Sequence, residues 1–196
     1  MGNIAADKIL NRKRSALNPA HEVWDGEKLY RYACRTTGEV PLAEKTASSN
    51  IKEKRSWAWM SQISDRAVEE MLDKGLYTMD HMLVIHDPYR YAPLTAILVF
   101  NTEKACAVRV SVQDEFGFTH TGQTGTRHRI PVFALRAGME NKVLVELLDG
   151  DTVIRSTEIT LLTGALPKLL ENMVETKIRK KESALGLIFI YGGDTR

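Results

Sequence analysis

Between residues 106 and 113 the chain alternates without a break. Cys106, Val108, Val110 and Val112 point one way, and Ala107, Arg109, Ser111 and Gln113 point the other. Period two with one apolar face is the pattern of a strand half buried in an antiparallel sheet. Such a strand cannot stand alone, because its apolar face needs a second layer over it. Further strands are expected at 81–85, at 94–100 (opened by Pro93), at 142–148 and at 152–162, the last two joined by an Asp149-Gly150 turn. A short one at 130–135 is pushed toward a sheet edge by Pro131. Asp87-Pro88-Tyr89 reads as a turn, with Pro88 fixing φ and Asp87 able to bond its own backbone. Segment 114–129 holds Gly117, Gly122 and Gly125 among polar residues and reads as a long loop or a loose hairpin. Six short strands separated by turn signals predict a mainly β protein built on an antiparallel β-sandwich.

The flanks follow other periods. Residues 1–80 read as a helical or irregular extension. Asn3 caps a short helix through Ile4, Ile9 and Leu10 into Arg12, Lys13 and Arg14, and residues 18–50 read as loop. A second helix is expected to start at Ser64 as N-cap, with Asp65 in its first turn. Ala67, Val68, Met71 and Leu72 share one face, and Gly75 is its stop. The charge run Lys52, Glu53, Lys54, Arg55 reads as a solvated face, and Trp57 and Trp59 as neighbours on an extended segment that anchor a core or an interface. Residues 81–164 hold the sandwich. Residues 165–196 return to helix, with Pro167 at its first position, Leu169, Leu170, Met173 and Val174 as its stripe and Lys177, Arg179, Lys180 and Lys181 near its end. An apolar strand at 185–191 then needs a partner strand, and it either adds to the sandwich or opens a further domain.

Charge excludes some classes of partner. The chain carries 27 Lys and Arg against 25 Asp and Glu. This balance gives no electrostatic basis for binding nucleic acid or a membrane surface. No apolar run reaches the roughly 18 residues a spanning helix needs. Residues 1–10 contain Asp7 and Lys8 and lack the apolar stretch of a secretory signal, so the expected location is cytoplasmic, or periplasmic or secreted if an export signal has been removed. Cys34 and Cys106 make no disulfide framework, no Cys-x-x-Cys or Cys/His cluster points to a metal, and no cofactor is implied.

The stretch Val84-Ile85-His86-Asp87-Pro88-Tyr89-Arg90-Tyr91-Ala92-Pro93-Leu94-Thr95-Ala96 resembles the start of the N-terminal domain of bacterial arylsulfate sulfotransferases. Those proteins carry an Asp-Pro-Tyr turn followed by Ala-Pro-Leu-Thr-Ala entering a strand. A second match runs through Ile130-Pro131-Val132-Phe133-Ala134-Leu135, with Asn141-Lys142-Val143-Leu144-Val145-Glu146 following at the family's interval. Arg90 departs from the pattern, standing where the family usually has glycine. The resemblance implies an immunoglobulin-like module ahead of a catalytic β-propeller, which has no counterpart in these 196 residues. In the family, a propeller histidine takes a sulfuryl group from a phenolic sulfate ester and passes it to another phenol. The resemblance carries no catalytic residue into this chain. It implies a catalytically silent module whose partner is the propeller of the same protein, with a homodimer as a further possibility.

The candidate imidazole groups of the chain are His21, His81, His86, His120 and His128. His81 and His86, five apart on one expected strand, face opposite sides and share no ligand. Arg127, His128 and Arg129 beside the glycine-rich loop are the candidate anion site, since free backbone N–H groups and guanidinium groups suit a sulfate-like anion. The competing reading of that segment is a polar connection between strands. No Gly-x-Ser-x-Gly and no His-Glu-x-x-His occurs. A free-standing binding module using the 114–129 loop or the tryptophans is the alternative function, and a small enzyme of other chemistry the third.

Overall fold

The computed structural model describes residues 4–38, 57–114 and 117–165. The elements run α1 (Ile4–Leu17), β1 (Glu22–Asp25), α2 (Gly26–Thr37), α3 (Trp57–Asp73), β2 (Leu83–His86), β3 (Ala96–Val112), β4 (Thr119–Thr121), β5 (Gly125–Val132), β6 (Glu140–Asp149) and β7 (Thr152–Leu162). Asn3, the 52–55 charge run and the expected helix and strand of 165–196 lie outside the described residues, apart from Ala165.

The fold is mainly β, and β3 is its spine. Expected as two strands, 94–100 and 106–113, it is one strand of 17 residues. Its register shifts between Asn101 and Cys106, where residues 103–105 are exposed and the strand bends. Before the bend β3 lies between β2 and β5, and after it between β6 and β4, all antiparallel. The sheet is therefore curled into two arms that share β3, β1-β2-β3-β5 and β4-β3-β6-β7. β1 joins β2 in parallel, which makes the sheet mixed. One continuous apolar core contains Val84, Leu98 and Phe100 of the first arm with Val108, Val145 and Leu161 of the second. The 106–112 alternation holds, with Cys106, Val108, Val110 and Val112 all buried. β5 pairs with β3 alone, so Pro131 does sit on an edge strand.

The helices explain why β2 and the first part of β3 lack alternation. All of Leu83, Val84, Ile85 and His86 are buried, as are residues 96–100. Both faces of this arm are covered, by α2 and α3, which pack on each other and on β1, β2 and β3, and by the core shared with the second arm. Each helix offers an apolar stripe, Leu29, Tyr30, Ala33 and Cys34 on α2 and Ile63, Ala67, Val68, Met71 and Leu72 on α3. α1 lies against β1 and β7. The described residues up to Ala165 form one compact unit.

Three local expectations need correction. Residues 18–50 were read as loop, yet they contain β1 and α2. Asp25 caps α2, accepting from the Lys28 N–H at 2.7 Å, and Gly38 closes it at φ +72°. Of segment 114–129, expected as a long loop or a loose hairpin, residues 119–121 fold back on β3 as a hairpin and residues 125–129 are strand. α3 begins at Trp57, so Trp57 and Trp59 are helical, and Ser64 is a buried residue within the helix and not its cap.

Candidate functional site

β5 carries the three residues singled out for anion binding, and strand alternation separates them. Arg127 and Arg129 face α3, while His128 points to the opposite side and is buried. Arg127 Nη2 lies 2.7 Å from Glu69 Oε2 and 3.0 Å from Asp73 Oδ1. Arg129 is joined to Asp65 and to the Tyr89 hydroxyl, and that hydroxyl donates to Asp65 Oδ1 at 2.9 Å. Both guanidinium groups thus already hold carboxylates on α3.

His128 belongs to the bend of β3. Its ring lies 5.0 Å from Phe100, and its Nε2 is 2.9 Å from Thr102 Oγ1 and 3.8 Å from Cys106 Sγ. Burial pushes the imidazole below its ordinary value, so it is neutral and gives an anion no charge. Cys34 and Cys106 are free, buried thiols. Among the described residues no group of three or more His, Cys, Asp or Glu is arranged to hold a metal, and no helix is long and apolar enough to cross a membrane.

A second histidine shows the opposite condition. His86 ends β2 fully buried, and neither ring nitrogen has a hydrogen-bond partner. It lines a cavity of about 480 Å3 between α1, the start of α2 and the turn after β2. Arg14, also buried, enters from α1. Its Nε donates to the Leu162 carbonyl at 2.8 Å and its Nη1 to Asn11 Oδ1 at 2.9 Å. Asn11 in turn donates to Asp25. Burial, and secondarily Arg14, push His86 down to about 3. The ring is therefore neutral, offering one N–H donor and one lone pair. Burial also lowers Arg14, against the opposing fields of Asp25, Asp87 and Asp7.

Little in the sequence marks this site. His81, expected on the same strand as His86, lies outside β2 and is exposed, its Nδ1 2.7 Å from the Ala20 carbonyl. The missed signal is weak: a histidine closing an apolar strand, followed by Asp-Pro. The other half of the cavity comes from more than 50 residues upstream, where no local pattern points to it.

The Asp87 turn is local and well determined. Asp87 Oδ1 accepts from the Ala92 N–H at 2.8 Å, and the Arg90 N–H donates to the Asp87 carbonyl at 3.0 Å. Gly26 packs so closely on this turn that a Cβ there would collide with the Asp87 carbonyl. Arg90 has φ +67°, the left-handed region that favours glycine. Its position is where the resembling family usually has one, so the turn keeps that conformation without the residue that suits it best.

Comparison with known proteins bears on the segment that contains β2 to β7. No curated protein and no solved structure matches the chain. Residues 83–164 match the family described as the arylsulfotransferase Ig-like domain. With its strands curled around one core and its Asp-Pro-Tyr turn in place, the segment 83–164 belongs to the arylsulfotransferase Ig-like domain family.

Proposed function

We propose that this chain is the non-catalytic N-terminal module of an arylsulfotransferase-like enzyme. The parent reaction moves a sulfuryl group from a phenolic sulfate ester to a phenolic acceptor, through a histidine in a propeller outside these residues. The match over residues 83–164 carries the reading. The chain's own groups are consistent with it. Sulfuryl transfer by that route needs an accessible imidazole nucleophile beside free cations, whereas His86 and His128 are buried, the exposed His81 has its Nδ1 against the Ala20 carbonyl, and Arg127 and Arg129 hold carboxylates. The module acts by docking. Val153 and Ile154 on β7, an outer strand of the second arm, are exposed apolar side chains suited to a partner domain or a second copy.

The test is direct. The pure chain is incubated with a chromogenic aryl sulfate and a phenol acceptor. No turnover is expected, and turnover above the uncatalysed rate, lost on replacing a histidine, overturns the non-catalytic role. Mixing the chain with the isolated propeller of an arylsulfotransferase, read by calorimetry, tests the docking half. Ile154→Asp is expected to weaken any association at least about tenfold.

A further inference from the structure

We infer that the outer edge of β5 is a docking site for an extended segment of another protein. The segment adds antiparallel to β5 as a further strand, with an aromatic residue in the hollow beside Pro131 and a basic residue near Arg127. The inference does not rest on the arylsulfotransferase reading, and it uses the first arm and not β7.

The backbone selects an extended partner. Along a strand, successive residues turn their N–H and C=O groups alternately to one neighbour and to the other. The Thr95 carbonyl accepts from the Asp87 N–H, just past β2, and the Leu94 carbonyl accepts from the Leu135 N–H, just past β5. Odd-numbered residues of this part of β3 therefore face β2, and even-numbered ones face β5. Ala96, Leu98 and Phe100 stand opposite Val132, Ile130 and His128, which spend their backbone groups on β3. Arg127, Arg129 and Pro131 turn theirs outward. Among the described residues no hydrogen bond reaches those groups, and β5 has no neighbour besides β3. The edge thus offers the N–H groups of Arg127 and Arg129 and the carbonyls of Arg127, Arg129 and Pro131, which is the template for strand addition. A second copy fits poorly. Antiparallel pairing of β5 with another β5 over this stretch sets arginine opposite arginine, or opposite Pro131, which has no N–H to give.

The side chains select what the segment carries. Beside Pro131 lies a hollow of about 480 Å3, walled by Pro88, Tyr89, Tyr91, Ile97, Pro131 and Phe133. Tyr91 is 55% and Phe133 47% exposed, so the aromatic walls are open to an incoming group. The one charged residue of the lining, Arg129, is held by Asp65 and the Tyr89 hydroxyl. An aromatic side chain opposite Pro131 projects on the same face and stacks there. At the other end Glu69 and Asp73, both exposed, share the single guanidinium of Arg127. A lysine or arginine opposite Arg127 brings the second positive charge that this cluster lacks.

Titration of the labelled full chain with the synthetic peptide acetyl-Thr-Phe-Thr-Val-Thr-Lys-amide, followed by NMR, tests this. In the antiparallel register its phenylalanine stands opposite Pro131, its valine opposite Arg129 and its lysine opposite Arg127. Saturable shifts are expected at millimolar peptide, at the Arg127 and Arg129 amides and in the Tyr91 and Phe133 rings. Proline in place of the peptide's valine removes a ladder donor and is expected to weaken binding at least about tenfold. Alanine for its phenylalanine is expected to weaken binding about tenfold, and glutamate for its lysine several-fold. Phe133→Ala in the chain, at an exposed position, is expected to weaken the parent peptide about tenfold. The peptide substitutions probe the edge on the unaltered chain, so they decide the outcome if the Phe133 variant does not fold. Absence of saturation, shifts confined to β7, a substituted peptide that binds as tightly as the parent, unchanged affinity in a folded Phe133→Ala, or self-association of the free chain that shifts the same amides each overturns the inference.

Discussion

Arg90 shows how one residue can keep a turn that suits another. At φ +67° a non-glycine residue is strained by about 1–2 kcal/mol. Its side chain returns part of this, with Nη2 3.0 Å from Glu27 and the guanidinium 5.0 Å from the Tyr30 ring centre. Arg90→Gly exchanges these contacts for relief of strain and is expected to change stability by less than about 1 kcal/mol. Arg90→Val loses the contacts and keeps a β-branched residue in the left-handed region, so urea denaturation should place it at least about 1 kcal/mol below the glycine variant. Equal stabilities would show that φ at 90 carries no strain. His86 makes a prediction of different kind. Its folded-state pKa is depressed to about 3 from an ordinary 6.5, facing Arg14 from α1, Asp25 and Glu27 from the β1–α2 junction, and Asp87 and Arg90 from its own turn. Above pH 6.5 the ring is neutral in both states and its share of stability is fully present. As pH falls from 6.5 toward 3, the unfolded chain takes a proton that the folded chain refuses, and stability declines by on the order of 1 kcal/mol per pH unit. Burial depresses His21 and His128 as well, so they act in the same direction. His86→Leu, melted from pH 7 to pH 4, should show a shallower decline than the parent, and a parallel one would remove His86 as its source.

α3 and β5 together separate what was readable in the sequence from what was not. The stripe Ala67, Val68, Met71 and Leu72 was visible because four residues at helical spacing have only one way to share a face. The start of α3 was not, because Ser61, Gln62, Ser64 and Asp65 interrupt the apolar pattern and Ser64 resembles a cap. Its burial comes from tertiary packing. β5 was hidden for a related reason. Gly125 reads as loop, yet it pairs with Cys106 where β3 bends, and Arg127 and Arg129 read as free cations because their carboxylates lie on a helix some 60 residues earlier. The ion pairs between these elements are partly exposed and are worth about 0–1 kcal/mol each. α3 is instead held by its apolar face. Arg127→Met is therefore expected to cost under about 1 kcal/mol, whereas Leu72→Ala, at a buried position, should cost about 2–5 kcal/mol. Denaturant titrations compare the two directly, and an Arg127→Met cost equal to that of Leu72→Ala would make the ion pairs the principal tether.

At the scale of the whole molecule, the sequence displayed the strands and concealed their continuity. Thr102, Glu103, Lys104 and Ala105 look like a turn between two strands, because three of them are polar or charged and none adds to the apolar alternation. In the fold Glu103, Lys104 and Ala105 are the exposed outer corner of a single bent strand, and Thr102 is half-buried against His128. The helices of residues 1–80 looked like an appendage for a similar reason: their apolar faces point to nothing nearby in sequence, whereas in space they cover β2 and β3. A shared strand has an energetic consequence. The two arms cannot lose their pairing independently, since β3 contributes hydrogen bonds to both. Damage in one arm should therefore be felt in the other as a single cooperative transition. Leu161 on β7 is fully buried in the second arm, while the three tryptophans belong to the first, Trp24 on its strand β1 and Trp57 and Trp59 on α3, which packs on β3. Leu161→Ala is expected to cost about 2–5 kcal/mol. Its unfolding midpoint followed by tryptophan fluorescence should fall as far as the midpoint followed by the methyl signals of Val143 and Val145 on β6. A fluorescence midpoint that stays in place while those methyl signals shift would mean that the bend at 103–105 uncouples the arms, and that β3 is two strands energetically although it is one geometrically.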